Sequence, residues 1–247
     1  MQKSNPEISL FIPCLVDQVY PEIGIAMVKI LNHFGYKLNY HKRQTCCGQP
    51  AFNAGHRNEA RKVAENFIDV FRDDSIIIAP SGSCIAMVRN YYPTLFLGHK
   101  MEQHAIELSK HVFEFSEFLQ NENLIDKISG SYRGRVGFHN SCHSYRELRI
   151  NEIPFKIFHQ VQGYELIQPK GEPVCCGFGG LFSFKFAEIA AAMATSRLEM
   201  FTNLHVDTIV SNDPGCMMHM KQEAKDKSID INIIHLTEFI VHVMDLE

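Results

Sequence analysis

Eight cysteines are the residues of this 247-residue chain best suited to chemistry, because thiolates bind metals and take part in redox reactions. They form two sets with the same order: a single cysteine, an adjacent pair, and another single cysteine. The intervals within the first set are 31 and 36 residues, and those within the second are 32 and 39. The two sets are Cys14, Cys46, Cys47 and Cys84, and Cys142, Cys175, Cys176 and Cys216.

The sequence around the cysteines repeats with them. Gly-Tyr-Lys-Leu at 35–38 precedes the first pair, and Gly-Tyr-Glu-Leu at 163–166 precedes the second. An apolar run stands just before the first cysteine of each set, and a glycine follows each pair. This pattern predicts a duplication, with a first domain over residues 1–125 and a second over residues 126–247.

Short apolar runs alternate with helical patterns in both halves. Strands are expected at 8–13, 37–40, 75–79, 135–139, 165–167 and 208–211. Helices are expected at 23–34, 53–71, 100–123 and 181–201, with further helices from about 147 and from 217. The alternation predicts an α/β protein of two tandem, duplicated Rossmann-like domains, each with a small parallel sheet.

The predicted topology explains how distant cysteines could meet. Loops at the carboxyl ends of parallel strands converge on one crevice, and the cysteines of each set follow predicted strands. Four thiolates at one point are what an iron–sulfur cluster requires. Glycines next to the pairs permit positive φ and close backbone approach, so that amides can point at sulfur. These candidate cofactor-binding glycines are Gly48, Gly177, Gly179 and Gly180.

Zinc is the main alternative to an iron–sulfur cluster, because four cysteines can also form a structural zinc site in one or both halves. Structural zinc sites usually present two short C-x₂₋₄-C segments, and neither half has one. A zinc-binding interaction module with no redox role therefore stays open as an alternative. Buried free cysteines, acting as small apolar residues, are the other alternative.

Composition limits the compartment and the partners. Lys plus Arg is 24 and Asp plus Glu is 28, so the net charge of −4 gives no electrostatic footprint for nucleic acid or an anionic membrane. No apolar run approaches the ~20 residues of a transmembrane segment, and the N-terminus has no secretory pattern. We expect a cytoplasmic protein, where thiols stay reduced and disulfides are rare.

The doubled motif resembles the CCG (cysteine-rich) domain family, which includes the cysteine-rich component of heterodisulfide reductase and the iron–sulfur component of glycolate oxidase. The resemblance covers nearly the whole chain and is strongest to members that take part in lactate utilization. It is carried by Pro13-Cys14, the segments 44–51 (QTCCGQPA) and 80–84 (PSGSC), and, in the second half, the segments 139–142 (HNSC), 175–180 (CCGFGG) and 213–216 (DPGC).

This resemblance implies a redox subunit that binds an iron–sulfur cluster, [4Fe–4S], and transfers electrons in a multi-protein system oxidising L-lactate, a small 2-hydroxy acid. A disulfide reductase subunit of the heterodisulfide reductase type is the alternative that the family offers. The fuller family motif ends each repeat in Cys-x-x-Cys, but Ser81 and Asp213 replace the first of those cysteines. Four ligands still suffice for [4Fe–4S], and Asp213 is expected to cap a turn or helix.

Other polar residues near the cysteines have less specific roles. His139 and His143 flank Cys142, and either could tune a cluster, although an ordinary core or loop histidine is the simpler interpretation. Lys185 and Arg197 lie on the predicted helix 181–201 and could hold a carboxylate, although a solvent-facing position is the ordinary expectation for both.

Overall fold

The computed structural model of the chain describes residues 6–171 and 174–246. The expectation that the N-terminus has no secretory pattern partly concerns residues 1–5, which lie outside the described residues. The chain divides into two compact units between Glu122 and Asn123. Within the described ranges, no helix is long and apolar enough to cross a membrane.

The first unit contains a four-stranded parallel sheet of order β2-β1-β3-β4. Its strands are β1 (Glu7–Leu10), β2 (Lys37–Asn39), β3 (Ile77–Ala79) and β4 (Val112–Glu114). Its helices are α1 (Cys14–Gln18), α2 (Pro21–His33), α3 (Gln49–Asn53), α4 (Arg57–Phe71), α5 (Gly82–Ala86), α6 (Tyr92–Leu95), α7 (Glu102–Ser109) and α8 (Phe115–Asn121), with a π-helical turn between α5 and α6.

The second unit repeats this topology, with a parallel sheet of order β6-β5-β7-β8. Its strands are β5 (Gly130–His139), β6 (Val161–Ile167), β7 (Thr208–Ser211) and β8 (Asn232–His235). Its helices are α9 (Ile153–His159), α10 (Leu181–Lys185), α11 (Ala187–Thr202), α12 (Pro214–Asp226) and α13 (Leu236–Met244). The predicted fold, two tandem α/β domains with small parallel sheets, is confirmed.

Aromatic side chains fill the core of each unit beside its sheet. In the first unit, the ring of Phe11 meets that of Phe67 edge-on at 4.8 Å, and Phe71 packs against both. In the second, Phe158 lies between Phe138 and Phe239, with ring centroids 5.3 and 5.1 Å away. Each sheet therefore packs against its own layer of buried aromatic side chains, as an independent domain requires.

Four predictions of local structure need correction. The helix expected from about 147 begins only at Ile153, as α9, after a π-helical turn at His143–Glu147. The stretch 100–123 is not one helix, because β4 separates α7 from α8. The helix expected at 181–201 is interrupted at Phe186, whose φ of −131° and ψ of 52° are not helical. The helix expected from 217 begins at Pro214, so Cys216 already lies in its first turn. Strand β8 was not predicted at all.

Candidate metal centres

The first set of cysteines meets at the carboxyl end of its sheet. Cys14 opens α1 just after β1, the pair Cys46-Cys47 precedes α3, and Cys84 lies in α5 just after β3. The Sγ atoms of Cys14 and Cys46 are 3.8 Å apart. Cys46 is hydrogen-bonded to Cys47, and Cys47 to Cys84. The four thiols thus form a contiguous row, from the exposed Cys14 inward to the buried Cys47.

The second set has the same order of contacts. Cys142 is hydrogen-bonded to Cys175, Cys175 to Cys176, and Cys176 to Cys216. Cys176 and Cys216 are buried, whereas Cys142 and Cys175 are partly accessible. The second row therefore runs from an accessible end to a buried one, whereas in the first row the buried thiol, Cys47, lies between the partly accessible Cys46 and Cys84.

The glycine after each pair holds the local loop in a left-handed conformation. Gly48 has a φ of +83° and Gly177 a φ of +81°. In each loop the glycine N–H donates to the first sulfur of the pair, Cys46 or Cys175, with an N–Sγ distance of 3.4 Å. Backbone amides are thus aimed at sulfur, as expected for a site that holds negative charge. Gly179 and Gly180 also have positive φ, and their role in binding a cofactor stays a prediction.

The residues that replace the fifth cysteine of the family motif are helix caps. The Ser81 hydroxyl accepts from the Cys84 N–H at the start of α5. The Asp213 carboxylate accepts from the N–H groups of Gly215 and Cys216 at the start of α12. The capping role expected for Asp213 is confirmed, and both caps fix the helical turn that carries the last cysteine of the set.

One thiol in each set is strongly acidified. Hydrogen bonds from Cys14 and Cys47 lower the pKa of the Cys46 thiol to about 3. The equivalent contacts within the second set lower the pKa of Cys175 to about 2. The same contacts and burial raise the pKa values of Cys14 and Cys47. Without metal, each set therefore carries its negative charge on the first sulfur of the pair, in the middle of the row.

The second set has a polar neighbour that sequence reasoning underestimated. Arg197 is buried, not solvent-facing, and its Nε donates to Nδ1 of the fully buried His139 at 3.0 Å. A ring nitrogen of His139 and the Sγ atoms of Cys176 and Cys216 lie within 4.8 Å of one another. The helical pattern of 181–201 could not reveal this, because the partner of Arg197 lies 58 residues earlier, on β5. Lys185, the other residue predicted on this helix, lies at the end of the separate short helix α10.

A cavity of about 200 Å³ lies beside this polar pair. Arg197 and Asn140 contribute polar groups to its wall, together with Tyr145, Gln168 and Glu152. Among the ion pairs of the described residues none involves Arg197, whose guanidinium contacts Met200 Sδ and the ring of Phe201 and lies next to a space that a small molecule could enter.

Two small parallel α/β domains that each gather four thiols at the carboxyl end of the sheet define a cysteine-rich domain protein of duplicated type. The family model "Cysteine-rich domain" (CCG) matches residues 8–89 and 136–221, one match in each unit. The chain belongs to this family, and the predicted resemblance is confirmed.

Several similar curated proteins are named lactate utilization protein A. Lactate utilization protein A of Oceanobacillus iheyensis is 34% identical over 235 residues, covering 95% of this chain and 96% of the relative. The proteins of that name from Geobacillus thermodenitrificans and Halalkalibacterium halodurans are each 33% identical, covering 96% of this chain and 99% and 97% of their own. Among solved structures, glutamate racemase from Francisella tularensis has a TM-score of 0.36 and 16% identity, over 98% of this chain and 82% of the racemase.

Proposed function

We propose that this chain is an iron–sulfur redox subunit of a multi-protein system that oxidises L-lactate. The observation that carries the proposal is the pair of matching thiol rows, one in each half, each with an acidified central sulfur. The name shared by relatives that match almost end to end supports lactate as the 2-hydroxy acid.

The spread of the thiols favours a cluster over a single zinc ion. Four sulfurs at a Zn–S distance of about 2.3 Å form a tetrahedron with every edge about 3.8 Å long. Cys14 and Cys46 match one such edge, with Sγ atoms 3.8 Å apart. Among the described residues, however, no three thiols of one set lie within 4.8 Å of one another. Thiols that contact one another only in succession do not form such a tetrahedron, which counts against a single zinc ion, and four thiolates are the ligands that a [4Fe–4S] cluster takes.

The residues of each half have defined roles toward such a group. All four cysteines would supply sulfur ligands, and Cys46 and Cys175 already hold their sulfurs as thiolates at neutral pH. The N–H groups of Gly48 and Gly177 would stabilise the added negative charge. When bound, one cluster in each half would carry one electron, so both halves together could hold the pair that is released as a 2-hydroxy acid becomes a 2-oxo acid.

We place the acid in the cavity beside the second set. Its buried guanidinium, from Arg197, offers the charge and the N–H donors that a carboxylate needs. The cavity volume of about 200 Å³ suits a small acid. Binding of L-lactate to the chain without its partner subunits, before any electron is transferred, should therefore perturb the spectrum of a cluster in the second half and leave one in the first half unchanged.

The test of this function is reduction by substrate. The anaerobically purified chain, mixed with its partner subunits, should lose absorbance near 400 nm when L-lactate is added, and a propionate control, which lacks the hydroxyl group, should have no effect. An iron-loaded protein that L-lactate does not reduce in the complete system would contradict the proposal. Turnover of a disulfide by the chain alone would indicate the heterodisulfide reductase type instead.

A further inference from the structure

The two halves differ at one buried pair of side chains beside the cysteines. His139 stands three residues before Cys142, and Phe11 stands three residues before Cys14. Arg197 follows Ala190 by seven residues on α11, as Phe67 follows Ala60 on α4. Ala190 and Ala60 are equivalent, because each is the helix residue whose carbonyl approaches the glycine after its cysteine pair.

A polar pair in the second half thus replaces an aromatic pair in the first. Phe11 and Phe67 pack edge to face at 4.8 Å. At the same two positions, Arg197 donates to His139 at 3.0 Å. The first half is an internal reference for the second, because the two halves share the same sheet topology and the same order of cysteines around this pair.

The contact with Arg197 fixes which nitrogen of His139 carries the proton. The guanidinium is only a donor, so Nδ1 of His139 must accept and cannot itself be protonated. A neutral imidazole has one N–H, which therefore lies on Nε2. Nε2 is buried and has no hydrogen-bond partner among the described atoms, although the sulfurs of Cys176 and Cys216 are close to the ring.

Resting on the proposed function, we infer that His139 donates its Nε2 proton to a cysteine sulfur of the second cluster site and does not ligate the metal itself. A ligating Nε2 would need its lone pair, and the proton would then have to sit on Nδ1, where Arg197 already donates. His139 is thus a positioning residue. The buried N–H would gain the acceptor that it lacks in the chain alone.

The donor makes the two halves inequivalent as electron carriers. A hydrogen bond to a ligand sulfur stabilises the reduced, more negative cluster, and the nearby guanidinium acts in the same direction. Burial lowers the pKa of Arg197 to about 10, so the side chain stays charged at neutral pH. The first half offers only the rings of Phe11 and Phe67 at these positions. The cluster of the second half should therefore have the higher reduction potential.

An EPR-monitored redox titration tests the inference. The double variant His139→Phe/Arg197→Phe copies the first-half pair into the second half and avoids leaving a buried arginine unpaired. It should change the reduction equilibrium of the second-half cluster at least about tenfold, which is ~59 mV for one electron, towards a lower potential. His139→Gln keeps an N–H near Nε2 and should retain most of the wild-type potential. The cluster of the first half in the same molecule is the control and should not shift.

Three results would overturn the inference: equal potentials of the two clusters, no shift in the double variant, or strong ¹⁴N coupling showing that His139 is a ligand. A second measurement does not depend on cluster binding. In metal-free protein labelled with ¹⁵N-histidine, the long-range ¹H–¹⁵N spectrum should show the proton of His139 on Nε2, and a proton on Nδ1 would refute the inference. Absence of iron in every preparation would instead refute the proposed function, and the tautomer measurement would still decide whether Nε2 of His139 carries the proton.

Discussion

Replacing Gly177 by alanine should destabilise the second half more than Gly48→Ala destabilises the first. Both glycines follow a cysteine pair and have nearly the same φ, +81° and +83°. Their surroundings differ. An added Cβ on Gly177 would lie 2.7 Å from the Ala190 carbonyl oxygen and 2.9 Å from Cβ of Met193. On Gly48 the nearest atom, the carbonyl oxygen of Ala60, would be 3.3 Å away.

The cost of backbone strain and the cost of steric contact can be separated, because the strain is the same in both variants and only the contacts differ. A left-handed conformation costs alanine about 1–2 kcal/mol relative to glycine, and this applies to both variants. Contacts under 3 Å to backbone force α11 to move, and overpacking of this kind costs about 1–3 kcal/mol more. Gly48→Ala should therefore lose about 1–2 kcal/mol of local stability, and Gly177→Ala about 2–5 kcal/mol.

Native-state hydrogen exchange followed by mass spectrometry measures this for each half in one molecule. Amides of α11 should exchange faster in Gly177→Ala, by a factor that corresponds to the larger loss, while those of α4 keep their wild-type rates. Gly48→Ala should show the reverse pattern with a smaller effect. Equal losses in the two variants, or a larger loss in Gly48→Ala, would refute the argument that close backbone approach distinguishes the two loops.

Two further predictions follow from the pKa shifts. In metal-free protein, iodoacetamide should alkylate Cys46 and Cys175 at nearly the same rate at pH 6 and pH 8, because both are already thiolates. The alkylation rate of an ordinary thiol rises about tenfold per pH unit over this range. Peptide mapping identifies the modified residues, and a steep rise in rate for both would contradict the assignment. Burial raises the pKa of Glu114 from 4.5 to about 7, so the folded first half holds this proton more tightly than the unfolded chain does. The free energy of unfolding of the first half should therefore be highest below pH 4.5 and should fall by about 3 kcal/mol as the pH rises to 7. Glu114→Gln should remove that dependence in urea unfolding at pH 4 and pH 8, and an unchanged slope would show that Glu114 is not its source.

The duplication was predictable because cysteine spacing and glycine position are preserved along the chain, and both follow from one repeated topology. Strand β4 was not, because its three residues lie in a polar stretch of helical composition and form a strand only by pairing with β3. Strand β8 likewise depends on pairing with β7. Short strands at the edge of a sheet are defined by their neighbours more than by their own sequence.

The polar pair of the second half marks the limit of sequence reasoning about the site. Arg197 stands on a long helix whose other charged residues are exposed, so a solvent-facing position was the natural expectation. Its burial depends on His139, which the fold brings next to it from the end of β5. Aligning the two halves could have given a hint, because two phenylalanines occupy the equivalent positions in the first half and predict a buried location there.

Metal and sulfide analysis of anaerobically prepared protein tests the central claim most directly. Wild-type protein should contain about eight irons with matching sulfide, about four for each set. Cys46→Ser and Cys176→Ser should each retain about four, because each removes a ligand from one half only. Colourless protein with one zinc in each half, or equal loss of iron from both halves in either variant, would contradict two independent iron–sulfur sites.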